Sequence, residues 1–507
     1  LNGRGVLVGI IDTGIDYLNK EFQREDDTTR IVRIWDQTIQ GNKEIYSLKY
    51  GTEYTEDQIN QAIRLQASGG DPYSIVPSKD DIGHGTRMAG IIGGRGINPD
   101  LKGAASDCQF IIVKLSRATK VELDVAVIDK TDVPSYSPWS ALLALRYIIA
   151  VARELKRPVV VFEPLGSNMG SHTGNGIVEQ SINNYSTQSG TVVVVPTGNQ
   201  GNTDTHTEGI IENVGDVKDI EIRIGEKQRN LPIEIWINKP NRVKLSIISP
   251  SGEMIDNLDS KNANNERIKF LYEGTEMIVN FTSPELSTGD SHIFIRAYNL
   301  KAGIWKFRLT GQYIVEGKYY AWIPQRELLD SETKFLNSVG YTTLTLSSTS
   351  NRAISVAYYN QEDNSVVTES GRGYTRDKMI KPDIAAGGFN AIVTNPGGGT
   401  AVISGASVAG AVVAGCCVLI LQWAVTDKNY PDIYAEQIKA YIISGAKGRP
   451  GDVYPNKEWG YGMLDMNGIF DRIKDTYNPR KSEDYEEYRV NNLFIRIPKS
   501  RYNRTIN

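Results

Sequence analysis

GVLVGIID, residues 5–12, is a run of small and β-branched apolar residues that ends on a single carboxylate, Asp12, before the chain turns sharply at Thr13-Gly14. No polar residue alternates through it, so it reads as a strand buried on both faces, the pattern of a parallel sheet covered by helices on either side. Open α/β sheets put their sites outside the carboxyl ends of the strands. Asp12 therefore stands where chemistry is expected, able to accept an imidazole N–H while staying ionised. Taken alone it reads as an ordinary strand-end turn residue, and three other segments change that.

Gly83-His84-Gly85-Thr86 precedes RMAGIIGG, a stretch of small residues suited to a helix packed closely on a sheet. Glycines on either side let backbone approach a ring or a peptide with no Cβ in the way. The chain has four histidines, His84, His172, His206 and His292, and only His84 sits in such a setting. GTAVISGASVAGAVVAGCCVLILQWAV, residues 399–425, puts Ser407 at the start of a long apolar helix. There its N–H is among the unpaired donors of the first turn and is placed to bind developing negative charge. The plainer reading is an N-cap serine. The run from Val408 to Val425 is long enough to span a membrane, but Gly410, Gly415 and Gln422 interrupt it and no basic flank anchors it. It reads instead as a helix through the middle of a large α/β core, with no transmembrane segment. TVVVVPTGNQGN, residues 191–202, is a second buried strand, ending at Gly198-Asn199.

Asp12, His84 and Ser407, in that order and with the Gly-Asn segment between the last two, resemble the subtilisin-like serine peptidases, the subtilases of S8 type. The resemblance implies an α/β fold, a subtilisin-like parallel sheet flanked by helices. It implies a triad of Asp12, His84 and Ser407, with Asn199 and the Ser407 N–H as oxyanion hole. VVVFEPLGSNMGSH is similar to the family's substrate strand and makes Leu165, Gly166 and Ser167 the wall of the P1 pocket and a backbone pairing edge. KPDIAAGG from Lys381 and EWGYGMLDMNGIF from Glu458 resemble late core segments. Two departures bear on the site: Ala406 stands where the family usually has threonine, and Pro196-Thr197 replaces the usual small pair before Gly-Asn. The implied chemistry requires no metal or organic cofactor. The loop RGINPDLKG lacks an obvious set of calcium ligands, which leaves a structural calcium ion in doubt.

At 507 residues the chain is too long for one ordinary core. DIEIRIGE, LPIEIWINK, RVKLSIISPSG, RIKFLYEG, EMIVNFTS, SHIFIRAYN and GIWKFRLTG alternate polar and apolar residues between turn signals, which reads as an inserted antiparallel β-sandwich. The expected division is a first core part over 1–212, the sandwich over 213–325, a second core part over 326–473 and a C-terminal tail over 474–507. A net charge of −4 with scattered lysine and arginine argues against nucleic-acid binding. Cys108, Cys416 and Cys417 are an odd set, read as packing residues and not as a disulfide framework.

IWDQT at 34–38, EYTEDQIN at 53–60, the inserted sandwich and NLFIRIP near the end resemble the clostridial Csp germination proteases, a branch of the same family. That resemblance implies a jelly-roll insertion and an N-terminal propeptide as partner. It implies a protein substrate, the zymogen of a spore cortex-lytic enzyme, and a place in the cortex or coat region of the spore. No signal peptide is read at the start of the sequence. Two alternatives stay open: a catalytically weak or inactive subtilase serving as a binding or signalling module in germination, and a broad degradative protease.

Overall fold

The computed structural model describes residues 1–41, 44–259, 265–477, 485–490 and 493–498. The first part of the chain alternates strands and helices: β1 (Leu7–Asp12), β2 (Ile31–Asp36), β3 (Thr52–Thr55), α1 (Glu56–Ala67), α2 (His84–Gly93), β4 (Gln109–Lys114), α3 (Lys120–Val125), α4 (Pro138–Leu155), β5 (Val159–Phe162), α5 (Ile177–Tyr185) and β6 (Thr191–Pro196). Then come β7 (His206–Ile210), β8 (Val217–Ile224), β9 (Leu231–Ile237), β10 (Arg242–Ile248), β11 (Met254–Leu258), β12 (Asn265–Lys269), β13 (Glu276–Thr282), β14 (Ser291–Tyr298), β15 (Gly303–Tyr313), β16 (Lys318–Trp322) and β17 (Lys334–Phe335). The last part brings β18 (Ile354–Asn360), β19 (Ser365–Val366), β20 (Ile384–Gly387), the hairpin β21 (Ala391–Thr394) and β22 (Thr400–Ile403), and α6 (Ala406–Leu421).

The central sheet runs β19-β18-β6-β5-β1-β4-β2-β3, with β20 also paired to β18. β1 lies parallel to both β4 and β5, β5 to β6, and β6 to β18. As the unbroken apolar run requires, β1 is buried at every position, and its side chains divide between two cores. Val8 and Ile10 meet α2 and α6, while Leu7 and Ile11 meet α4. The long apolar helix is thus a core helix of an α/β layer structure, and 78% of its apolar window is buried. Its one central polar residue has a structural use, because Gln422 Oε1 accepts the N–H groups of Asn2 and Gly3 at 2.9 and 2.7 Å. The three cysteines are buried and unbonded to one another. Ser137 precedes Pro138 at the start of α4, and its hydroxyl makes no capping bond to the helix.

The middle of the chain forms two antiparallel sheets, ordered β11-β10-β15-β8-β17 and β12-β13-β14-β9-β16-β7. Alternate residues of both turn inward to one shared core, among them Ile220 and Ile222 of β8, Ile233 and Ile235 of β9, and Phe307 and Leu309 of β15. β7 and β17, which flank the stretch 213–325 on either side, pair into these sheets as well.

Gly9 marks the tightest helix–sheet approach at the centre of the molecule, since a Cβ there would overlap Ile148 Cγ2 of α4. Gly9→Ala is therefore expected to lower stability by about 1–3 kcal/mol through overpacking. Denaturant unfolding checks this, and the loss in Gly9→Ala/Ile148→Ala should be smaller than the sum of the single losses.

Candidate active site

The parallel strands carry their carboxyl ends to one edge of the sheet, and the candidate residues gather there. Asp12 is the last residue of β1 and is fully buried. His84 is the first residue of α2, set by Gly83 at a φ of 84° in the left-handed region that glycine adopts without strain. Gly85 packs directly on the carbonyl of Gly14, where no Cβ fits, so the turn after β1 and the first turn of α2 touch. Across that contact His84 Nδ1 lies 2.9 and 2.8 Å from the two oxygens of Asp12, and the Thr13 N–H donates to the same carboxylate at 2.7 Å. The carboxylate partner assigns the proton to Nδ1 and leaves the Nε2 lone pair free as a base. Burial works to lower the His84 pKa, but the charge and hydrogen bond of Asp12, helped by the charge of Asp80, outweigh it and hold the ring above the ordinary histidine value.

Asp80 is a member of the site that the sequence reading passed over. Its carboxylate accepts four hydrogen bonds: Thr13 Oγ1 and the Gly83 N–H at 2.7 Å each, the Thr86 N–H at 2.9 Å and Thr86 Oγ1 at 2.7 Å. Thr13 Oγ1 in turn accepts the Gly85 N–H at 3.0 Å. Asp80 thus caps the start of α2 and ties it to the turn that follows Asp12. The signal lay in the Asp80-Asp81 pair just ahead of the Gly-His-Gly motif.

Ser407 is the second residue of α6, whose N-cap is Gly405 at a φ of 150°. The plainer reading of Ser407 as the N-cap itself does not hold, because the chain enters the helix two residues earlier, through Gly405. α6 packs on α2, and Val408, Ala409, Met88 and Ala89 from the starts of the two helices lie in one core. Asn199 follows β6, and its Oδ1 accepts the Ala406 N–H at 2.9 Å. That bond orients the amide and leaves Nδ2 without a protein acceptor among the described residues. The Pro196-Thr197 departure is absorbed by backbone pairing: the Thr197 N–H donates to Val356 O at 2.9 Å and its carbonyl accepts from Thr345 at 3.0 Å. The Ser407 hydroxyl and His84 Nε2 make no hydrogen bond to each other, and neither has a competing partner among the described residues.

Leu165, Gly166 and Ser167 continue from β5 beside Asn199. Thr345 fills the notch between Gly166 and Gly198, in contact distance of both α-carbons. Leu165 is half-buried and Gly166 exposed. The Ser167 carbonyl is engaged by the Leu346 N–H at 2.9 Å, and the Gly166 carbonyl accepts from Gln325 Nε2 at 2.6 Å. Glu163, just before this edge, is buried, and burial pushes its carboxyl pKa up to about 8. The loop after α2 is organised by Glu21, whose carboxylate accepts the N–H groups of Gly96 at 2.6 Å and Asn98 at 3.1 Å. Among the described residues no cluster of three His, Cys, Asp or Glu is arranged to hold a metal ion.

A sequence profile of the subtilase family matches residues 3–218 and 335–462, and the unmatched stretch falls on the antiparallel sheets. The PII-type proteinase of Lacticaseibacillus paracasei is 23% identical in an alignment that covers 87% of this chain and 24% of that protein. The PIII-type proteinase of Lactococcus lactis subsp. cremoris (strain SK11) is 22% identical in an alignment that covers 87% of this chain and 23% of that protein. The chain thus spans about a quarter of the length of these curated relatives. The solved structure of the Clostridium perfringens CspB protease is similar over 95% of this chain and 94% of its own, with a TM-score of 0.83 and 29% identity.

Two measurements check this geometry. An NMR titration of His84 is expected to show a midpoint above the free-histidine value of about 6.5. In Asp12→Asn, burial acts without the opposing charge and the midpoint falls below that value; an unmoved midpoint would contradict the pairing. Asp80→Asn turns an amide N–H2 toward donors that held a carboxylate oxygen. It should lower stability by about 2–4 kcal/mol, the range for losing charged hydrogen bonds in a buried site, as read by denaturant unfolding.

Proposed function

The chain belongs to the subtilase family of serine peptidases, and from that premise we propose that it is an active endopeptidase that cleaves a protein zymogen, the precursor of a spore cortex-lytic enzyme, during germination. The activity draws its support from the hydrogen bond of His84 to the buried Asp12 carboxylate and from the Asn199 amide, which is tied to the N–H of Ala406, the residue before Ser407. The germination role draws its support from the likeness to the CspB protease, which extends through the sandwich as well as the core. On this reading the protein works in the spore, with its own N-terminal propeptide as a second partner.

In the reaction, His84 Nε2 takes the proton of Ser407 as Oγ bonds to the scissile carbonyl carbon. Asp12 accepts the Nδ1–H throughout and stabilises the imidazolium that forms. The oxyanion lies between Asn199 Nδ2 and the Ser407 N–H, the latter at the positive end of α6. Collapse breaks the peptide bond as His84 returns the proton to the leaving amine. Water, deprotonated by the same nitrogen, then opens the acyl-enzyme and frees Ser407. Leu165, Gly166 and Ser167 line the acyl side of the scissile bond. No metal or organic cofactor takes part in these steps.

A second reading, a subtilase that binds without cleaving, draws on the Ser407 hydroxyl not being hydrogen-bonded to His84. Catalytic hydrogen bonds are often long before substrate arrives and tighten in the complex, and among the described residues neither atom has another partner, so cleavage is favoured. A fluorophosphonate probe is expected to label the wild-type chain and not Ser407→Ala, with no labelling of wild type as the outcome that selects the binding module. Asn199→Ala should keep the label but lower kcat by about 10²–10³-fold, a magnitude measured on subtilisin itself. Cleavage of a cortex-lysin zymogen at a discrete site, with casein left largely intact, is expected; rapid casein degradation would instead point to a broad degradative enzyme.

A further inference from the structure

One segment beside the site carries no role so far: the stretch by which the chain leaves β16 and returns to the core. Ile323 donates its N–H to Thr205 O at 3.1 Å, and its carbonyl accepts from Asn168 Nδ2 at 3.4 Å, so the stretch is laced to both neighbouring loops. Gln200, the residue after Asn199, is only 4% exposed and reads this segment with both ends of its amide. Its Oε1 accepts the Arg326 N–H at 3.0 Å, and its Nε2 donates to the Glu327 carboxylate at 3.1 Å. These bonds fix the backbone around residue 325 relative to Asn199. From that platform Gln325 Nε2 reaches the carbonyl of Gly166 at 2.6 Å.

That carbonyl has a second claimant. Gly166 is exposed, lies close to Asn199 across Thr345 and beyond the end of β5, and has no backbone hydrogen-bond partner among the described residues. An extended peptide entering beside Asn199 satisfies its own N–H groups on such a backbone. The next carbonyl, of Ser167, is already taken by Leu346.

We propose that Gln325 is a specificity-determining residue, whose side-chain amide competes with the substrate backbone for the Gly166 carbonyl, so that only peptides able to displace it bind in extended form. The proposal rests on the endopeptidase reading for its meaning but concerns binding alone. A net neutral hydrogen bond changes an equilibrium by about 2- to 10-fold, which weakens extended peptides without closing the site. Small substrates that do not reach the edge are unaffected.

The test is the affinity of fluorescein-labelled tetra-alanine, which presents little besides backbone, for the full chain, measured by fluorescence anisotropy beside labelled single alanine. Gln325→Ala is expected to bind tetra-alanine about 2- to 10-fold more tightly than wild type, with no change for single alanine. Gln325→Glu, which keeps the length and loses the donor, should behave in the same way. Unchanged affinity for tetra-alanine, an equal change for both probes, or no binding of tetra-alanine to any of the three proteins would overturn the assignment. The readout needs no turnover, so failure of the endopeptidase reading is seen separately, as absent fluorophosphonate labelling.

Discussion

A carboxylate with no exposed surface is the constraint from which the rest of the site follows. Burying a charge costs several kcal/mol unless donors surround it, and Asp12 meets that demand with the Thr13 N–H and the His84 ring. The donors must come from a different element, because a strand end provides few of its own. α2 brings them only by coming unusually close, which is why Gly85 rests on Gly14 and why Asp80 clamps both pieces from below. The ring that satisfies the buried charge is thereby held in one tautomer and keeps its other nitrogen toward the cleft. Stability and chemistry use the same hydrogen bond.

How much of this was legible in the sequence depends on whether the signal was local. β1 was readable because six consecutive buried positions leave a pattern that only a doubly covered strand explains. Asp12, His84, Asn199 and Ser407 were readable because each lies in a short segment whose glycines have local geometric reasons, at Gly83, Gly198 and Gly405. The sandwich strands were readable by alternation, but β11 was not, since MIDNL alternates poorly and keeps mostly exposed residues. The hairpin β21–β22 went unread, because TAVI is too short an apolar run to stand apart from the helix that begins beside it. Gln325 was illegible for a different reason: its partner lies 159 residues away, and no local pattern records such a bond; Asp80 has partners three and six residues on, but its tie to Thr13, 67 residues back, leaves no such trace.

The histidines illustrate the same divide. Sequence context separated His84 from the others without saying what the others do. In the structure His172 and His206 stack on Trp322 at 4.1 and 4.4 Å between ring centres, and His292 stacks on Trp236 at 4.0 Å. Burial pushes the His172 pKa down to about 3, so it is a neutral flat ring packed as an aromatic would be. Arg376 from the core lies over Trp236 and pairs with Asp290 of the sandwich at 2.6 Å. A buried ion pair contributes more to a fixed geometry than to net stability, and here it fixes the sandwich against the core.

That rigid seam gives the insertion a consequence for the cleft. β16 pairs with β9 and β7 inside the sandwich, and its exit at Trp322 is held from both sides, by those strands and by His172 and Thr342 of the peptidase core. The residues that follow reach Gln200 and Gly166 within a few positions, so the same stretch meets the sandwich at one end and the backbone near Asn199 at the other. Asp12 and His84 are held by elements of the central sheet and its helices. On the proposed reading the two properties are separate: the core cuts the bond, and the stretch that leaves the sandwich bears on which backbone reaches it.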